Sequence, residues 1–169
     1  MRAVEKVVNS IEVLVRLFGR IAAWTCVLLV ALVSGDVILR YLFDFGALWL
    51  QELQWHLISP IALFGMAYLL LNDEQVRVDV FYEHFPVLVK RTIEVFGGLT
   101  LLVMGLYIAW LTLPWVAQSF GRGEGSPNPG GLPYRWVLKA FLPFGFTLLA
   151  LQGLAHALRN AFALPAQGD

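Results

Sequence analysis

Four apolar runs divide the chain: Ile21 to Leu39, Leu53 to Leu71, Ile93 to Ala117 and Trp136 to Leu158. Each is close to, or longer than, the roughly 20 residues a helix needs to cross about 30 Å of hydrocarbon. Lipid offers no hydrogen bonds to a backbone, so runs of this length must become helices. Composition agrees. Of 169 residues, 59% are hydrophobic and 14% charged, which is more apolar surface than one soluble core of that size can hide. These features predict an all-α integral membrane protein with four transmembrane helices, folded as a single membrane domain over residues 1–169.

The formal net charge is zero and the charges sit in the connections, which speaks against a nucleic-acid surface. The lone Cys26 lies inside the first run and reads as a small interior residue, since one cysteine builds no disulfide framework. Residues 1–20 carry Val4, Val7, Val8, Ile11, Val15 and Phe18 near helical spacing, with charged residues between them. That pattern predicts an amphipathic helix on the membrane surface that leads into the first span. A cleaved signal peptide is disfavoured: about twenty mixed-charge residues precede the apolar run, no small-x-small site follows it, and the first span is expected to stay. With four spans, eight of the twelve Lys and Arg residues fall on the side of the termini and the middle connection. That bias places both termini in the cytoplasm.

The middle connection holds VRVDVF followed by YEHFPVLVKR. An isolated strand there would leave its backbone unpaired, so a short extended turn and an interfacial helix capped by Asp79 are expected. The third run is the longest and must tilt or protrude, and Gly97, Gly98 and Gly105 along it allow a neighbouring helix close. Pro114 and Pro143 are expected at kinks. In the following connection, GRGEGSPNPGGLP, Pro129 and Gly130 fit a turn with the glycine at positive φ. Tyr134, Arg135 and Trp136 then anchor the last helix at the interface, with Lys139 able to snorkel.

Where the first two runs meet, polar side chains collect. Asp36 and Arg40 are four apart, so they stack on one helical face and can pair. Such a pair at a helix end serves as an ion path, or as a structural pair or subunit contact; the helix-end position favours the latter. Gln51, Glu52, Trp55, His56 and Ser59 fall within an arc of roughly 140° on the second helix. Glu52 with His56 is half a metal site at best. The other histidines, His84 and His156, are too few and too badly placed for haem ligation, so a stripe facing another protein is the preferred reading. Trp49 and Trp55 read as interfacial belt aromatics ahead of a binding cage. No phosphate cradle, nucleophile with a base, or metal-ligand cluster is apparent in the sequence, so neither an enzyme nor a cofactor is expected.

These residues also carry a resemblance. RYLF at the end of the first span, Trp49 and Glu52 opening the second, VRVDVF, and SPNPGGLPYRW before the fourth resemble the DctQ-type small membrane subunit of tripartite ATP-independent periplasmic (TRAP) transporters. The resemblance runs from about Arg20 to Leu158. It implies a non-catalytic subunit of a sodium-coupled symporter for organic acids in the bacterial inner membrane. Its implied partners are a large DctM-type membrane subunit, a periplasmic solute-binding protein and the lipid bilayer. On that basis Asp36, Arg40, Trp49, Gln51, Glu52, Trp55, His56 and Ser59 become subunit-interface candidates, and Arg122 and Arg135 become candidates for docking the binding protein. Two other classes share the bare architecture: a stand-alone four-helix structural membrane protein and a membrane anchor of a redox complex.

Overall fold

The inward side of the first helix repeats every seven residues. Val8, Val15, Ala22, Leu29 and Asp36 are all buried or half-buried, with Glu12, Gly19, Thr25 and Leu32 filling the intervening turns. A seven-residue repeat keeps one narrow seam of a helix on a neighbour over many turns. That seam explains why residues 2–43 form one unbroken helix, although 1–20 and 21–39 differ in polarity. The structure, a computed structural model, describes residues 1–74 and 85–163. Among the described residues it is all-α, with four helices long and apolar enough to cross a membrane. They are α1 (Arg2–Phe43), α2 (Leu48–Leu71), α3 (Val87–Gly121) and α4 (Trp136–Ala161). Arg77, the Asp79 cap, His84 and the start of the expected interfacial helix lie outside the described residues, while the VLVKR expected to end that helix is the beginning of α3.

The expected surface helix over 1–20 therefore has no boundary of its own. Its apolar side packs on the bundle, where Val8 and Val15 are fully buried and Glu12 pairs with Arg159 of α4 at 2.6 Å. Cys26 is likewise not interior: it is exposed, one position off the inward seam.

α1 stops where Asp44 turns into the left-handed region, φ 49°, and the Phe45 N–H donates to the Leu39 carbonyl at 3.2 Å. Asp tolerates that conformation better than most residues. Ala47 is extended, and α2 starts at Leu48. α2, α3 and α4 run continuously through Pro60, Pro114 and Pro143. Hydroxyls back-bond to carbonyls one turn earlier near all three prolines, from Ser59 to Trp55, from Thr112 to Ile108 and from Thr147 to Pro143.

α4 is the hub, packed against α1, α2 and α3, while α1 also lies along α2. Two kinds of seam hold it. On the α1/α2 side, Val15, Ala22, Leu63, Phe64, Ala67 and Leu148 form the core. Phe64 meets Phe18, Phe144 and Phe141 edge-on at centroid distances of 5.1, 5.5 and 6.0 Å, an arrangement the ring quadrupoles favour. On the α3 side the helices nearly touch backbones. A Cβ added at Gly98 would lie 2.6 Å from the Gly153 carbonyl oxygen, and one at Gly105 would lie 2.8 Å from that of Phe146. Small residues permit such approach in lipid, where dispersion and not water drives association. Gly97, by contrast, has nothing within 4 Å of an added Cβ. At most 28% of the most apolar stretch of any helix is buried, so the outer surface needs lipid or protein around it.

Candidate polar site at the loop end of the bundle

The end of the bundle where α1 stops and α4 starts gathers the polar residues of α1, α2 and the connection between α3 and α4. Asp36 falls in register with the inward seam of α1, so it is buried. Its Oδ2 accepts from Arg40 at 3.0 Å and weakly from Gln54 of α2 at 3.4 Å, while Oδ1 has no partner. Arg40 keeps 48% of its side chain exposed, so the pair is anchored on the acid and open on the base.

Glu52 takes up the connection that follows α3. Its Oε1 accepts from the Ser126 hydroxyl and its Oε2 from the Leu132 backbone N–H at 2.6 Å. The loop is built to present those donors. Asn128 to Gly131 form a turn closed by the Gly131 N–H on the Asn128 carbonyl at 3.1 Å, with Gly130 at φ 79° following Pro129, the type II pattern. The Ser126 N–H donates to the Leu132 carbonyl at 3.0 Å, which closes the loop base. A Cβ at Gly131 would come 2.7 Å from Glu52 Oε2, so only glycine lets the carboxylate in. The loop is thereby latched to the first turns of α2.

A second tie sits beside it. Lys139 of α4 pairs with Glu124 and stands 4.6 Å from the Trp115 ring centroid, so an ion pair and a cation–π contact fix one ammonium. The Lys139 ammonium holds the Glu124 carboxyl below its usual range. The Arg135 N–H donates to the Glu124 carbonyl at 2.9 Å. Between α2 and α4 this end opens into a cleft of about 560 Å³ lined by Trp55, Ser59, Trp115, Arg135 and Lys139 among others.

The interface candidates are thus brought to one end but divided in role. Trp49 and Trp55 are exposed, at 44% and 65%. Gln51, His56 and Ser59 are half-buried, and His56 Nδ1 donates to the Glu52 carbonyl of its own helix at 2.7 Å. Glu52 and Asp36 are engaged within the chain. The polar stripe is therefore largely served from inside, because the Gly/Pro-rich loop folds back over it. Of the docking candidates, Arg122 is exposed and Arg135 half-buried. Sequence reasoning missed Gln54, Ser126, Leu132 and Glu124 as members of this site. Gln54 is three positions past Gln51 on the same helix, and only the buried Asp36 opposite gives it a role.

An exposed apolar belt around four spanning helices, with polar contacts at both ends, defines a multi-pass membrane subunit and not a soluble domain. The family model of the DctQ component of tripartite ATP-independent periplasmic transporters matches residues 29–163. The chain belongs to this family and is a small membrane subunit of a TRAP transporter. No match was found among curated proteins. The matched stretch begins within α1 and takes in Asp36, Glu52 and the latched loop.

Proposed function

We propose that this subunit is a non-catalytic scaffold for a large DctM-type membrane subunit in a sodium-coupled symporter that takes up organic acids. It sits in the bacterial inner membrane with both termini in the cytoplasm. A periplasmic solute-binding protein delivers the substrate, and the loop from Gly121 to Pro133 lies on the side it approaches. The observation that supports this reading is the Glu52 latch, which holds a Gly/Pro-rich loop in one conformation at the bundle end and leaves Arg122 outward. A preformed loop costs a docking partner less ordering entropy than a free one.

The large subunit is assigned to the exposed face of α2 that carries Trp55, Ile58, Met66 and Leu69 at helical spacing, with Trp49 exposed at the first turn of the same helix. Asp36, Gln51, Glu52, His56 and Ser59 then act behind that face, by shaping it. The test is co-purification of the large subunit with Trp55→Ala and Trp49→Ala variants. Reduced recovery at normal expression is expected, and full recovery with full uptake refutes the assignment. For the loop, Arg122→Glu is expected to slow uptake when the binding protein is limiting; unchanged uptake there removes loop docking.

A further inference from the structure

At the opposite end, where α1 begins and α4 ends, the four helices surround a polar cup of about 750 Å³. Arg16 and Arg20 of α1, Arg91 of α3 and Gln152 of α4 line it, together with the Glu12/Arg159 pair. Asp73 and Glu74 also line it, yet Arg16, Arg20 and Arg91 form no ion pair among the described residues. Three guanidinium groups around one cup form a site for an anion with several oxygens, because each presents a planar fork of donors. Deeper in, Gln152 is 2% exposed, and its Oε1 has no hydrogen-bond partner. A buried acceptor left without a donor is unfavourable, so the cup also calls for a hydroxyl or amine donor on its occupant.

The level of the cup narrows the choice. Arg20 immediately precedes the apolar run that begins at Ile21, and Arg91 lies two residues before the run at Ile93. Both stand where hydrocarbon gives way to headgroups, the depth at which basic pockets between membrane helices take anionic headgroups. We propose that this cup binds the headgroup of an anionic phospholipid bearing free hydroxyls, of the phosphatidylglycerol class. The arginines hold the phosphate, and a glycerol hydroxyl donates to Gln152 Oε1. The proposal needs only the membrane-spanning bundle and is independent of what the loop end binds.

The test uses the full-length chain co-purified with its large subunit and native mass spectrometry against added phosphatidylglycerol, phosphatidic acid or phosphatidylcholine. Inorganic phosphate and glycerol 3-phosphate form the soluble arm. Phosphatidylglycerol is expected to be retained over phosphatidylcholine, and Arg16→Gln/Arg20→Gln to weaken it about 30-fold, at roughly fivefold per basic residue. Gln152→Leu is expected to remove the preference for phosphatidylglycerol over phosphatidic acid. If the first double variant folds poorly, Arg20→Gln/Arg91→Gln, both at exposed positions, is expected to give a similar loss. Equal retention of all three lipids, or unchanged binding in a folded double variant, overturns the proposal. Glycerol 3-phosphate binding as tightly as the lipid assigns the cup to a soluble phosphate and overturns the lipid assignment. Large-subunit recovery, read in the same samples, reports separately on the scaffold reading.

Discussion

Neighbouring glycines on α3 should respond to the same substitution with opposite signs. In Gly98→Ala the new methyl would sit 2.6 Å from the Gly153 carbonyl oxygen and 2.9 Å from both the Ala157 Cβ and backbone nitrogen. Relaxed contacts need about 3.5–4.0 Å, so α3 and α4 must part by roughly 0.9–1.4 Å at this point. Two of the three obstructing atoms are backbone, which cannot swing aside as a flexible side chain does. Overpacking of this kind costs about 1–3 kcal/mol, offset by at most about 1 kcal/mol of improved helix propensity. A net loss of about 1–2 kcal/mol is expected. Gly97→Ala meets nothing within 4 Å, so only the propensity gain remains and the variant should be neutral or more stable. Because α3 leans on α4 far more than on any other helix, the loss at Gly98 should appear as detachment of α3. Unfolding in mixed micelles, followed by tryptophan fluorescence together with a cysteine crosslink across the α3/α4 seam, measures both. Equal shifts for the two variants, or a stabilised Gly98→Ala, would refute the close-packed seam.

Three further outcomes follow from the ties at the bundle ends. Glu52→Gln keeps one carbonyl acceptor and loses the other along with the charge, so hydrogen exchange at Ser126 to Leu132 should speed up while the helices stay protected. Unchanged exchange would show that the loop holds itself. Glu12→Ala removes the carboxylate that meets Arg159 at 2.6 Å in a largely buried pair and should cost up to about 3–5 kcal/mol in the same micelle assay, whereas Glu12→Leu/Arg159→Leu should recover most of it. The Glu124 carboxyl is held below its ordinary value of 4.5 by Lys139, so its stabilisation of the loop is present above that value. It should be lost as pH falls through the depressed one. Loop exchange measured against pH should rise in that acid window, and Glu124→Gln should reduce the dependence to the share carried by the Glu52 latch.

What the sequence made legible was what lies near in the chain. The four spans follow from run length, the Asp36/Arg40 pair from a spacing of four, and the Pro129–Gly130 turn from two adjacent residues. Gly98 and Gly105 stood out as small residues seven apart, yet nothing in the sequence distinguishes Gly97, which faces open space. Glu52 is joined to residues 74 and 80 positions later, and Glu12 to one 147 positions later. No local pattern encodes such separations, which is why Glu52 read as a group waiting for another polypeptide. The single helix over 2–43 was hidden for a different reason. Its polarity changes near residue 20 while its inward seam does not, and the seam governs packing.

Both ends of the bundle use polar ties, and the middle uses shape alone. Glu12 joins α1 to α4, and Glu94 of α3 meets His156 of α4 at 2.7 Å. At the other end the Glu52 latch and the Glu124/Lys139 pair bind α2 and α4 to one loop. A charge near the interface costs far less than one at the midplane, so the ends are where a membrane bundle can place electrostatic ties cheaply. Their consequence is mechanical. Sliding α1 past α4 by one turn, about 5.4 Å, would break the Glu12 pair and pull Phe18 off Phe64 and Phe144 together. The glycine seam equally opposes rotation of α3, since turning Gly97 into the place of Gly98 would bring Met104 into that of Gly105, against the Phe146 backbone. A bundle pinned in both ways responds to a moving partner as one body, with α4 carrying the load between its two halves.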